Sequence, residues 1–214
     1  IRVAVPDMAA ARAVGAIREQ ISIPLVVDIH FDYKLALECI AAGADKVRIN
    51  PGNIGGEKEI KYVADCIRAH GIPVRVGSNT GSIEANFLKK YGRSAEALVE
   101  SALYNVGVLE KFGVTDIVIS VKASSVPLTV RAYTLLSERT DYPLHVGVTE
   151  AGTTEAGIVK SAVGIGALLL NGIGDSLVIG EDDEAFKVHV HTDTPGVALT
   201  EAQRYGTLEL AKIE

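Results

Sequence analysis

Charged and polar side chains collect at the ends of short apolar runs, where they are costly to keep. Asp28 and His30 close the run 24–29, and Arg48 and Asn50 close the run 46–50. Arg75 and Asn79 lie on the run 73–79, Ser120 and Lys122 close 116–122, and His145, Thr149 and Glu150 belong to 144–149. Turns rich in small residues follow them: Pro51-Gly52-Asn53-Ile54-Gly55-Gly56, Thr80-Gly81-Ser82, Ala123-Ser124-Ser125 and Ala151-Gly152-Thr153-Thr154. A charge inside a strand is expensive to bury unpaired. Arg2, Arg48, Arg75 and Lys122 come from four different runs, and cations gathered at one mouth call for an anion. Arg2 is the weakest member, because it opens its run rather than closing it. Glycine-rich turns and helix-start amides add donors for phosphate. Arginine holds phosphate oxygens in bidentate fashion, which makes a diphosphate the natural ligand.

Plainer readings stand beside this one. Any single arginine could instead be held structurally by Asp28 or Glu150. Asp28 and His30 share one side of a strand, which suits either a metal pair or hydrogen bonds to a substrate; no clear third ligand accompanies them. Cys39 and Cys66 are 27 residues apart without a CxxC pattern, which excludes a disulfide scaffold and a self-contained zinc or iron–sulfur site. Both fall on helix faces and read as core or surface thiols. His189 and His191 share one face of an amphipathic strand, a pattern more often structural than metal-binding.

The elements that must position these residues follow a regular rhythm. Strands are expected at 2–5, 24–29, 46–50, 73–79, 116–122 and 144–149, each rich in Val and Ile as for strands covered on both faces. Ile60, Val63, Ala64 and Ile67 form a helical stripe stopped by Gly71 and Pro73; Leu98, Ala102, Val106 and Leu109 form another, with Ser94 as N-cap. Val14 and Ile17 serve a first helix capped by Asp7. Strands alternating with helices imply βαβ units and a parallel sheet. The absence of an early GxGxxG disfavours a dinucleotide fold, and the spacing suits a TIM (β/α)8-type barrel. Such barrels typically need about 250 residues, so at least one unit is expected to be missing. The polar residues named above sit mainly at C-terminal strand ends, where barrels build their sites.

The 214 residues are 48% apolar and 22% charged, which excludes wholesale disorder, and the net charge of −6 without a basic block argues against nucleic-acid binding. No apolar run reaches the roughly 18 residues of a membrane helix; the longest, 162–170, is broken by Gly164 and Gly166. With no signal peptide, a cytoplasmic protein is expected. The chain opens as Ile1-Arg2-Val3-Ala4-Val5 without Met, which reads as a fragment. After about residue 177 the rhythm changes to an acidic turn at 180–184, an alternating run at 186–191, a helix candidate at 195–205 and a strand candidate at 208–213.

Several strings closely resemble the bacterial 4-hydroxy-3-methylbut-2-enyl diphosphate synthase family. They are Leu25-Val26-Val27-Asp28-Ile29-His30-Phe31-Asp32-Tyr33, Val47-Arg48-Ile49-Asn50-Pro51-Gly52-Asn53-Ile54-Gly55 and Ser120-Val121-Lys122-Ala123-Ser124. To these are added Leu144-His145-Val146-Gly147-Val148-Thr149-Glu150-Ala151-Gly152 and Gly172-Ile173-Gly174-Asp175. The likeness runs in order from residue 1 to about 177. It implies an oxidoreductase of the non-mevalonate isoprenoid route that reductively opens 2-C-methyl-D-erythritol 2,4-cyclodiphosphate at the mouth of a TIM barrel. Electrons are implied to come from ferredoxin or flavodoxin through a [4Fe–4S] cluster held by three Cys and a Glu of a second, C-terminal domain, in a homodimer when full length. Arg2, Asp28, His30, Arg48, Asn50, Arg75, Asn79, Ser120 and Lys122 resemble its substrate-pocket residues. Glu150 resembles the acid near the reacting carbons, and Lys160 and Ser161 match a helix-start string without an assigned role. The resemblance further implies that the first βα unit and the cluster domain with its ligands are absent here, so that this chain alone would not turn over. Val178 stands where the family has a diphosphate-binding Arg, and Ser78-Asn79 where it has Val-Asn.

The stretch of about 174–214 is similar to part of the dihydroxyacetone-kinase-like (fatty acid kinase A) family, and Gly174-Asp175-Ser176-Leu177-Val178 suits both families. The expected organisation is therefore a partial substrate-binding barrel at 1–177 and an unrelated tail at 178–214, as a chimeric reading frame would give. Two other functions compete: a non-redox phosphate-ligand-binding TIM-barrel enzyme, and an interaction protein with a kinase-like tail.

Overall fold

Alternation within each strand decides the architecture. In a computed structural model of the chain, residues 1–174 are described, together with the backbone of Glu181–Asp182 and Ala185–Phe186. The chain divides into two compact units, Ile1–Ser120 and Val121–Glu214. In the first, the order is β1 (Arg2–Ala4), α1 (Met8–Gln20), β2 (Val26–Asp28), α2 (Tyr33–Ala41), β3 (Lys46–Ile49), a 3-10 turn (Pro51–Asn53), α3 (Glu57–His70), β4 (Val74–Asn79), α4 (Ala85–Tyr91), α5 (Ala95–Lys111) and β5 (Ile117–Lys122), whose last two residues belong to the second unit. The strands lie side by side in sequence order, and β1–β2, β2–β3 and β3–β4 pair in parallel. This is the parallel sheet that the strand–helix rhythm predicts.

One face of each strand is apolar. Val27, Val47, Ile49, Val74, Val76, Ile117 and Ile119 are buried, and they alternate with the polar positions of the other face. The helices turn their own apolar stripes to the core. Ile60, Val63, Ala64 and Ile67 of α3 and Leu98, Ala102, Val106 and Leu109 of α5 are all buried. The expected punctuation holds as well. Asp7 accepts from the Ala10 amide at 2.8 Å, Ser94 accepts from the Ala97 amide at 3.2 Å, and Gly71 ends α3 in the left-handed conformation with φ 62°. Helix α4, which no apolar stripe announces, buries none of its side chains.

The second unit contains α6 (Val126–Ser137), α7 (Thr154–Leu170) and a two-stranded antiparallel ribbon of β6 (Glu181–Asp182) and β7 (Ala185–Phe186). The expected sixth strand at 144–149 is corrected here: only Leu144 makes a bridge, and the residues after it are irregular. Pro143 precedes it without an amide hydrogen. The carbonyl of His145, which a neighbouring strand would use, instead accepts from the Tyr133 hydroxyl at 2.6 Å. The Thr149 amide pairs with the Ala123 carbonyl at 3.2 Å. Within the acidic segment expected at 180–184, Glu181–Asp182 pairs antiparallel with Ala185–Phe186. Val178, His189, His191 and the candidates at 195–205 and 208–213 lie outside the described residues. No helix among the described residues is long and apolar enough to cross a membrane.

Leu98 is fully buried and Leu170 is 90% exposed. Leu98→Ala is therefore expected to destabilise the chain by about 2–5 kcal/mol, and Leu170→Ala by less than about 0.5 kcal/mol, in urea unfolding followed by far-ultraviolet circular dichroism.

Candidate functional site

The polar face of the sheet gathers the residues singled out in the sequence. Asp28 is the register partner of Arg48, and Arg48 that of Arg75, so three charged residues form one row across β2, β3 and β4. All three are nearly buried, at 8%, 9% and 7% exposure. Arg48 Nη1 donates to Asp28 Oδ1 at 2.8 Å, and its Nη2 approaches the Gly77 carbonyl at 3.5 Å. Arg75 Nη2 donates to Ser120 Oγ at 3.0 Å. Arg2 and His30 flank the same carboxylate from more exposed positions, each with a ring or guanidinium nitrogen 3.8 Å from Asp28. Asp28 thus serves as the structural partner considered for the arginines, and the row still places two guanidinium groups on neighbouring strands. These repel one another in a medium of low dielectric unless an anion lies against them.

Asn50 continues the polar face of β3 two residues beyond Arg48 and is 2% exposed. Its Oδ1 accepts from the Gly52 amide at 3.1 Å, and its carbonyl accepts from the Asn53 amide at 2.9 Å, which closes the 3-10 turn. Asn79 ends β4 on the side of Arg75, half-buried, with its amide donating to Ser82 Oγ at 3.1 Å. Ser78 faces the opposite way, buried against α5, with its hydroxyl 3.5 Å from that of Ser101.

Three features of this unit escape sequence reasoning. Lys46 stands on the polar face one alternation before Arg48. Burial lowers its ammonium below the usual lysine range, opposed by Asp116, with Arg75 adding to the lowering. Gly77 leaves room for Arg48: a Cβ there would lie 2.6 Å from Nε and 2.8 Å from Nη2. Glu84, the N-cap residue of α4, accepts from Asn105 Nδ2 at 2.7 Å. Strict alternation along Lys46-Val47-Arg48-Ile49-Asn50 was the available signal for the first; the other two depend on long-range approach.

Lys122 and Glu150 belong to the second unit. Lys122 extends over Gly147, where a Cβ would lie 2.6 Å from Nζ and 3.0 Å from Cε. Glu150 is exposed and adopts φ 49°, the positive-φ conformation that non-glycine residues rarely take and that recurs at functional sites. Lys160 is half-buried on α7 and Ser161 is buried.

A [4Fe–4S] cluster finds no fit among the described residues. Cys39 is fully buried, and desolvation pushes its thiol up to about 11, with Glu38 adding to the rise. Burial also raises Cys66, whose sulfur lies 3.8 Å from His70 Nδ1 on the outside of α3. No three His, Cys, Asp or Glu side chains among the described residues form a metal-holding group. Asp28 and His30 accordingly lack a third ligand in this set.

The GcpE TIM-barrel domain matches residues 1–188, and the FakA-like middle domain of fatty acid kinases matches 167–214. The 4-hydroxy-3-methylbut-2-en-1-yl diphosphate synthase (flavodoxin) of Caldanaerobacter subterraneus is 59% identical over 178 residues, covering 83% of this chain and 50% of the relative. The enzyme of the same name from Geobacter sulfurreducens is 56% identical, with 83% and 50% covered. The chain spans about half the length of these curated relatives. Among solved structures, the dihydropteroate synthase of Yersinia pestis superposes with a TM-score of 0.57 at 13% identity, covering 96% of this chain and 82% of that one. At that identity the likeness speaks for the fold alone.

Two outcomes follow from this geometry. Gly77→Ala is expected to displace the Arg48 guanidinium and destabilise by about 1–3 kcal/mol, whereas Gly81→Ala, with nothing within 4 Å of its Cβ, leaves the urea midpoint unchanged. Native alkylation with iodoacetamide at pH 8 is expected to label Cys66 before Cys39. A thiol titrating at about 11 is only about one part in a thousand thiolate at that pH. Cys39 is also fully buried, so its labelling waits on opening of the chain and should rise with added urea, read by peptide mass spectrometry.

Proposed function

This chain belongs to the GcpE TIM-barrel domain family, and we propose that it is the barrel portion of a 4-hydroxy-3-methylbut-2-enyl diphosphate synthase. In this reading the five strands β1–β5 are an arc of the barrel. The chain binds 2-C-methyl-D-erythritol 2,4-cyclodiphosphate in the non-mevalonate isoprenoid route. The observation that carries the reading is the row Asp28–Arg48–Arg75, in register on one face of three neighbouring strands. Its two guanidinium groups are rigid forks that suit diphosphate oxygens.

Each residue then has a part. Arg48 and Arg75 hold the diphosphate, joined by Asn50, Asn79 and Ser120 of the same unit. Asp28 orients Arg48 through the 2.8 Å bond and, with His30 and Arg2, lines the side of the pocket that meets the sugar carbons. In the second unit, Lys122 resembles a substrate-binding residue of the family and Glu150, at positive φ, its acid. This chain's two cysteines offer no fit for the [4Fe–4S] cluster that the family resemblance implies, with flavodoxin or ferredoxin as electron donor, so the chain by itself would bind and orient the substrate without reducing it. A homodimer in the full-length protein and a cytoplasmic location belong to the same reading. The segment after about residue 177 is an unrelated tail, joined where the two family matches share residues 167–188.

Titration calorimetry tests the binding. The cyclic diphosphate and inorganic diphosphate are both expected to bind, less tightly as salt rises, while uncharged 2-C-methyl-D-erythritol gives no heat. Arg75→Met should weaken both anions by about tenfold to a hundredfold, the loss of one charge-assisted bond of roughly 1.5–3 kcal/mol. A folded chain that gives no heat with either anion in low salt would refute the reading.

A further inference from the structure

Behind the turn that carries Asn50 lies a polar group that the anion row does not use. The Asn50 amide is planar, and its Oδ1 is tied to the Gly52 amide at 3.1 Å. That bond fixes where its Nδ2 points. Nδ2 is buried and has no hydrogen-bond partner, so a donor is held ready on the face that carries Arg48. Glu84 stands against the same turn. A Cβ on Gly52 would lie 2.6 Å from Glu84 Oε1, with Asn50 Oδ1 3.5 Å away. Asn105 is 1% exposed, and its Nδ2 donates both to Glu84 Oε1 at 2.7 Å and to the Ser101 carbonyl at 2.9 Å. The second carboxylate oxygen, Oε2, is buried without a partner. A carboxylate so placed carries a desolvation cost, and its charge opposes an anion on the neighbouring face. What it contributes is shape and an acceptor for Asn105.

We infer that Glu84, oriented by Asn105, is a positioning residue for Asn50: its carboxylate wedges the turn 50–53 so that the Asn50 amide donates to an oxygen of the bound diphosphate. This rests on the diphosphate reading of the site. The negative charge is dispensable and the wedge is not. Glutamine keeps the acceptor and the volume, whereas alanine removes both and frees the turn.

The test titrates inorganic diphosphate into the 214-residue chain and its variants by calorimetry, with circular dichroism confirming each fold. Glu84→Ala and Asn50→Ala are each expected to weaken binding about tenfold, and the double variant no more than Asn50→Ala alone. Glu84→Gln is expected to bind within about threefold of wild type. A full additive loss in the double variant, or Glu84→Gln behaving like Glu84→Ala, would overturn the inference. Hydrogen exchange at the Gly52 and Asn53 amides, both bonded to Asn50, supplies a readout that needs no ligand. It should quicken about tenfold in Glu84→Ala and stay unchanged in Glu84→Gln; equal rates in all three forms also overturn the wedge. Absence of binding by the wild-type chain would instead overturn the diphosphate reading, and with it the donation from Asn50.

Discussion

The first unit depends on a buried ion pair. Asp28 and Arg48 sit opposite one another on neighbouring parallel strands, 2.8 Å apart and almost out of contact with water. Neither charge is tolerable there alone. Together they permit a polar face on a sheet whose other face is packed with Val and Ile, and they hold one guanidinium in place beside a second, Arg75. A sheet filled on both faces with apolar side chains would be more stable, but it could not receive a charged ligand. The cation row is thus a stability cost located where the proposed ligand would offset it.

Placement of the cations constrains the backbone around them. Gly77 is required because the Arg48 guanidinium occupies the space of a side chain, and in the second unit Gly147 lies under Lys122 in the same way. Gly52 meets the carboxylate of Glu84. In all three, a glycine on one segment is matched to a charged side chain from a distant one, so a loop that looks merely small-residue-rich is shaped by what lies over it. Glu150, at positive φ in the turn following the irregular segment 144–149, carries local strain that regular strand structure would not impose.

Membership of the GcpE TIM-barrel family accounts for the strand–helix rhythm. The dihydropteroate synthase fold, reached at 13% identity, carries the same architecture with different residues. This is the usual relation between a barrel and its chemistry, since the strands are a common scaffold and the residues at their ends are not. The match of residues 167–214 to a second family coincides with the change of pattern seen in the sequence, where the regular spacing of apolar runs gives out.

Local sequence determined much of this protein. Short runs rich in Val and Ile placed β1 to β5, apolar stripes at helical spacing placed α3 and α5, and Asp7, Ser94 and Gly71 set helix ends, because caps and periodicity act through neighbours in the chain. The strand positions of Asp28, Arg48, Asn50, Arg75 and Ser120 were equally readable. Tertiary structure alone decided the rest. Register set Asp28, Arg48 and Arg75 in one row and made Asp28 the partner of Arg48. The Tyr133 hydroxyl took the His145 carbonyl, in the irregular segment where a sixth strand was expected. Asn105, 21 residues along the chain from Glu84, turned a helix N-cap residue into a support for a turn near residue 50. Each of these is a contact between segments far apart in sequence, and no local pattern of residues carries the information about which distant atom will arrive.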